Sequence, residues 1–179
     1  STLSSASAPR TSTTEYAAHS VTVDGITYHS PAGAFPTRST NALGHVDPYT
    51  HDTNGRVLTH TAPTGLLTTY TYDALNRLSG RQYPASPALN VQYHYDMTAD
   101  GNKGIGRLTA VQDASGVLGY HYDARGNLIE QIRSVTVLGQ DQYDRLGYAY
   151  DGANQLTRID YPAGLSVSYT RNAAGQVSD

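Results

Sequence analysis

The chain has 179 residues, enough for one domain of ordinary size, and only 15% are charged, against about 25% in a typical globular protein. A net charge of -3 excludes a basic field for a nucleic-acid backbone, and no run reaches the ~18 apolar residues of a membrane span. Cys is absent, which excludes disulfides and thiolate metal sites.

Solubility must therefore come from Thr, Ser, Asn, Gln and Gly. Aromatic usage is lopsided, with 15 Tyr, one Phe and no Trp. Tyr buries a ring while its hydroxyl stays wet or hydrogen-bonded, and it favours strands. The composition predicts thin, half-wet sheets rather than a thick apolar core.

Residues 1–20 are rich in Ser, Thr and Ala without periodicity, and a flexible lead-in is expected there. Asp24-Gly25 then lies between two β-branched runs, which predicts a hairpin at about residues 21–30, since both turn positions need positive φ. Pro31 to Pro36 breaks the chain. We place a lead-in at residues 1–35 and a repeat array at 36–179.

The array is read from a returning phrase that ends each strand on an acidic anchor: Tyr49-Thr50-His51-Asp52, Tyr70-Thr71-Tyr72-Asp73, Tyr93-His94-Tyr95-Asp96, Tyr120-His121-Tyr122-Asp123 and Tyr148-Ala149-Tyr150-Asp151. A sixth, degenerate copy is Tyr169-Thr170-Arg171-Asn172. Five residues after the anchor comes an aliphatic: Val57, Leu78, Leu128, Leu156 and Val177. The third copy reaches Leu108 only after an insertion at residues 98–106. A period of this length marks units that cannot bury their own faces alone. The chain stops at Asp179 inside a repeat, as expected of an excerpt from something longer.

Within one unit, Tyr70 and Tyr72 are two apart and share a strand face, and Tyr93 with Tyr95 repeats the rule. Asn or Gly follows each anchor and tolerates left-handed φ, while the anchor Asp can accept a backbone N–H in an Asx turn. A return strand follows, such as Gln155 to Tyr161, closing at Pro162-Ala163-Gly164. The expected fold class is all-β, repeated antiparallel hairpins with no significant helix. One spacing resists alternation: Leu156 and Ile159, like Leu108 and Val111, are three apart, which only a bulge or strong twist would reconcile.

The phrase, together with Asn41-Ala42-Leu43-Gly44-His45, resembles the YD repeats of the Rhs family over residues 36–179. That family includes Rhs polymorphic toxins, C components of insecticidal toxin complexes, wall-associated bacterial proteins and teneurins. His51 and Arg171 depart from it by replacing the second Tyr, and those units are expected to be less regular. The resemblance implies a spiralling β-sheet strip forming a shell segment, secreted or at a cell surface. It also implies partners: neighbouring repeats of the same longer chain, an encapsulated C-terminal toxin domain and a secretion-machinery component. The alternative it leaves is an adhesin that contacts carbohydrate or a cell-surface receptor.

Candidate chemistry is weak beside this. Asp52, Asp73, Asp96, Asp123 and Asp151 could be read as a calcium or catalytic series, but they lie a unit apart and suit repeated turns. His94 and His121 occupy equivalent positions near Asp96 and Asp123 and read as outward polar residues rather than metal ligands. Asp47-Pro48 lies inside the first repeat and does not read as a cleavage site. The insertion reads as a hairpin extension or a partner-contact loop. No nucleophilic triad stands out. We expect no catalytic residue, no metal and no cofactor in this segment, and structural roles for Tyr49, Tyr70, Tyr72, Leu78, Tyr93, Tyr95, Tyr120, Tyr122, Leu128, Tyr148, Tyr150, Leu156 and the five Asp anchors.

Overall fold

A computed structural model describes residues 11–172 and 175–178. Residues 1–10 of the expected lead-in, and residues 173–174 and 179, lie outside the described residues. The chain divides into two compact units between Asn90 and Val91, inside the stretch read as one array.

The first unit holds β1 (Thr13–Glu15), β2 (His19–Val23), β3 (Ile26–Ser30), β4 (Arg38–Thr40), β5 (Val46–His51), β6 (Val57–Thr61), β7 (Leu67–Tyr72) and β8 (Leu78–Gln82). Its sheet runs β1-β4-β5-β6-β7-β8, each pair antiparallel, and β2–β3 forms a separate hairpin that packs against β5. In that hairpin Asp24 and Gly25 take φ of 47° and 79°, the left-handed pair that a two-residue turn demands. The lead-in departs from expectation at Thr13–Glu15, which pairs with β4. Thr37 ties it down, its amide to the Glu15 carbonyl at 2.9 Å and its hydroxyl to the Ala17 carbonyl at 2.7 Å. Three residues are too short a run to show a period.

The second unit holds β9 (Val91–Tyr95), β10 (Leu108–Asp113), β11 (Gly116–Tyr122), β12 (Leu128–Val137), β13 (Gln140–Tyr150), β14 (Leu156–Asp160) and β15 (Ser166–Ser168), hydrogen-bonded in that order. A small hairpin, β16 (Thr170–Arg171) with β17 (Val177–Ser178), follows. The fold is all-β and antiparallel; among the described residues the helical pieces are single 3-10 turns, Pro87–Leu89, Ala99–Gly101 and Pro162–Gly164.

A bulge recurs at the start of the return strand. Tyr72 pairs with Leu78 but Thr71 with Gly80, leaving Ser79 unmatched. The same slip leaves out Leu58, Thr109, Ile129 and Thr157 in the other copies. It answers the awkward three-residue spacing. Leu108 lies opposite Tyr95 and Val111 opposite Tyr93, so both aliphatics share the Tyr face. Likewise Leu156 faces Tyr150 and Ile159 faces Tyr148.

The interior is polar. Among the described residues the buried apolar side chains are Val23 and Ala110, whereas Thr37, Thr50, Thr59, Thr68, Thr69 and Thr109 are buried. Thr suits a strand through its branched Cβ, and its hydroxyl needs a partner when buried. Thr50 and Thr59 supply each other's, 2.8 Å apart, and Thr109 donates to the His94 carbonyl at 3.1 Å.

Candidate functional site

Each unit's chemistry gathers at its anchor turn. At Asp52 the amide donates to the Arg56 carbonyl (2.9 Å) and Gly55 donates to the Asp52 carbonyl (3.0 Å). The Asp52 carboxylate then accepts the Asn54 and Arg56 amides, both at 2.9 Å through Oδ1. Asp73, Asp123 and Asp151 repeat this arrangement. The position three residues after the anchor is left-handed each time, at Gly55, Asn76, Gly126 and Asn154, which is why Gly or Asn stands there. The insertion spares the device: the Asp96 amide reaches the Arg107 carbonyl, and its Oδ1 accepts the Gly106 amide at 2.6 Å.

The second carboxylate oxygen is also occupied. Arg56 Nε donates to Asp52 Oδ2 at 2.5 Å, Arg77 Nε to Asp73 Oδ2 at 2.7 Å and Asn127 Nδ2 to Asp123 Oδ2 at 2.9 Å. At Asp52 burial works to raise the carboxyl pKa, but the Arg56 and Asn54 bonds outweigh it and hold the group below its ordinary 3.8. The Arg77 amide does most to lower Asp73, and the Asn127 side chain does most to lower Asp123. Lone pairs spent on turn amides and a guanidinium or amide are not free for a cation.

In three copies the second Tyr of the phrase ties its hairpin to the preceding one within the same compact unit. Tyr72 donates its hydroxyl to the Val57 carbonyl at 2.8 Å, Tyr122 to Leu108 at 2.8 Å and Tyr150 to Leu128 at 2.9 Å. Each acceptor is the first residue of the preceding return strand, beside the bulge. Burial raises the pKa of these three phenols, so they stay protonated as donors. Arg56 stacks over Tyr72 at 4.7 Å, and Arg107 over Tyr122 at 5.6 Å.

The two departures from the phrase behave differently. Arg171, in place of a second Tyr, sends Nη2 to the Leu156 carbonyl at 3.2 Å, the same kind of acceptor the phenols use. His51 makes no such link. It is buried beside Phe35 and Tyr49, its Nδ1 has no partner, and burial pushes its pKa down despite Asp52.

The remaining residues singled out by sequence take these places. Tyr49 stacks on His60 with ring centroids 4.6 Å apart, and His60 bonds Asp47 at 3.0 Å. Tyr70 lies opposite Arg81, Tyr93 opposite Val111 and Tyr120 opposite Gln131. Tyr148 reaches Gln131 at 3.3 Å. Leu78 and Leu128 open their return strands opposite Tyr72 and Tyr122. His94 and His121 are not brought together by a shared ligand: His94 lies opposite Ala110, and His121 lies 3.8 Å from Glu130. Among the described residues no three His, Asp or Glu converge as a metal site.

Two roles escaped the sequence reading. Asn41 makes the anchor turn with a carboxamide, accepting the Leu43 and His45 amides at 2.8 and 3.1 Å; Gly44, three residues on, was the available signal. The insertion is bound rather than free. Asn102 is buried, donates to the Tyr120 carbonyl and accepts the Tyr122 amide, both at 2.9 Å.

These bulged hairpins, closed by anchor turns and stitched by phenols, define a β-repeat protein of the YD type. The RHS repeat family model matches residues 51–88, 104–136 and 150–178. The chain belongs to the RHS repeat family. No curated protein matches it. Among solved structures it is similar to a chain of the TcdB2-TccC3 crystal structure, at 15% identity and TM-score 0.66 over 79% of this chain. The TcdB2-TccC3-Cdc42 crystal structure matches at 15% identity and TM-score 0.65, again over 79%. A chain of the Photorhabdus luminescens Tc holotoxin pore matches at 16% identity and TM-score 0.52 over 81%. These similarities establish the shared Rhs-type β-shell fold, and the chain spans 8–10% of the length of the chains it matches.

Proposed function

We propose that this segment is wall: a structural stretch of an exported Rhs-type protein that encloses a toxin or effector domain carried elsewhere in a longer chain. The observation that carries the reading is the series of phenol-to-carbonyl links from Tyr72, Tyr122 and Tyr150, which bind three of the repeats to the one before. The carboxylates of Asp52, Asp73 and Asp123 are consumed within their own turns, which suits construction rather than chemistry. Membership of the RHS repeat family and the fold shared with toxin-complex chains support the same reading. Its partners are then the neighbouring repeats and the enclosed domain, it acts outside the producing cell, and any catalysis belongs to other parts of the longer protein.

Protease protection of the full-length parent protein tests this. Expected is an enclosed domain that survives digestion in the native protein and is degraded once Tyr72, Tyr122 and Tyr150 are all changed to Phe. An enclosed domain digested as fast in the native protein as when free would overturn the reading.

A further inference from the structure

Hairpin β12–β13, with strands of 10 and 11 residues, outgrows its neighbours. Strand β11 pairs with β12 only as far as Ser134, and β14 pairs with β13 only from Gly147 onward. The hairpin therefore runs on as a two-stranded arm, with the outer edge of β13 open over residues 140–146.

The arm's own fold does not account for its tip. Leu138 is 99% exposed and sits at φ 52° in a two-residue turn with Gly139 at 76°. The chain makes the same turn with Asp24 and Gly25, the residues such a turn favours. A leucine there is both strained and fully wetted.

The open edge is self-complementary. Val137 and Gln140 close the turn as a bonded pair, so the even-numbered residues of β13 turn their backbone groups toward β12. The backbone groups of Asp141, Tyr143 and Arg145 then face outward. No Lys or Pro guards this edge. An antiparallel pairing centred on Tyr143 sets Asp141 opposite Arg145 of a second copy, twice by symmetry. Arg145 bonds Glu130 in its own copy at 2.5 Å but remains 64% exposed, with donors to spare. Asp141 accepts one bond, from the Thr136 hydroxyl at 2.7 Å. The same register carries Leu138 past Leu146 of the second copy. There a cleft of about 310 Å³ is walled by Leu118, Leu146, Tyr161 and Pro162, with Gln131, Arg133 and Asp144 beside them, next to one of about 530 Å³ between β13 and the Pro162–Gly164 turn.

We propose that the chain associates with a second copy of itself through this edge, β13 to β13 about Tyr143, each Leu138 seated in the other's cleft. The pairing satisfies the outward N–H and C=O groups, matches Asp141 with Arg145, and removes Leu138 from water.

Sedimentation velocity across a dilution series tests it, with far-UV circular dichroism confirming the fold of each variant. The wild-type chain should sediment as a dimer that dissociates on dilution. Asp141→Arg sets like charges opposite one another and should weaken association roughly tenfold or more, and the swap Asp141→Arg with Arg145→Asp should restore it. Leu138→Asn suits the turn, so it should keep or raise the melting temperature while weakening association. A wild-type chain that stays monomeric would overturn the proposal. Asp141→Arg or Leu138→Asn variants that associate like wild type, or a charge swap that fails to rescue, would do the same.

Discussion

The hydroxyl of Tyr72 bridges to the carbonyl of Val57, 2.8 Å away in the preceding repeat. That carbonyl sits beside the bulge at Leu58, where the ladder between β5 and β6 slips by one residue. The phenol of the next repeat thus donates to the residue that flanks the slip, Val57, which the ladder sets opposite His51. Tyr72→Phe keeps the ring and removes only the donor. It should cost about 1 kcal/mol in urea unfolding, as should Tyr122→Phe and Tyr150→Phe. Sites this far apart should add.

Arg171 tests whether the donor or the ring matters more. Its Nη2 takes the role of the phenol toward the Leu156 carbonyl. Arg171→Tyr should leave unfolding stability within about 0.5 kcal/mol of wild type, whereas Arg171→Met should lose about 1 kcal/mol by stranding the acceptor. Equal losses in both variants would show that the guanidinium does something a phenol cannot.

Much of the fold was legible because its signals are local. Alternating Tyr gave strand faces, the Asp anchors gave turns, and Asp24-Gly25 gave its hairpin outright. The bulges were visible only as an anomaly, the three-residue spacing of Leu108 and Val111, because a register slip is a property of two strands and not of one. The phenol links were invisible for a similar reason. Tyr72 and Val57 are fifteen positions apart, and nothing in either phrase names the other. Thr13–Glu15 is too short for a period, and Asn41, named in the resemblance, hid its turn because it lacks the acidic anchor.

Stability should fall in acid. The folded-state pKa values of Asp52, Asp73 and Asp123 lie below the ordinary 3.8. A carboxylate so depressed contributes stability that is complete above its unfolded value and lost as pH falls through its folded one. The melting temperature should therefore hold near neutrality and drop below about pH 4. Asp73→Asn, which keeps the turn acceptor but cannot titrate, should flatten that drop. Tyr72, Tyr122 and Tyr150 set the other limb. Their pKa values are raised above 10.0, so their contribution is present below that value and lost as pH rises through the folded one.

Deleting one bulge residue discriminates a built-in slip from a tolerated defect. Thr157 is the unmatched residue between Leu156, opposite Tyr150, and Arg158, opposite Ala149. Its hydroxyl bond to the Ala149 carbonyl, 3.1 Å, is a minor loss in Thr157→Ala. Removing the residue is different. Either Leu156 moves off Tyr150 or Ile159 is turned away from the Tyr face, because a shift of one flips every side chain beyond it. Thr157→Ala should cost about 1 kcal/mol or less. Deletion of Thr157 should cost several times more, read by urea unfolding and by faster amide exchange in β14 and β15. A deletion as mild as Thr157→Ala would mean that the strand is free to slide and that the bulge does not fix the register.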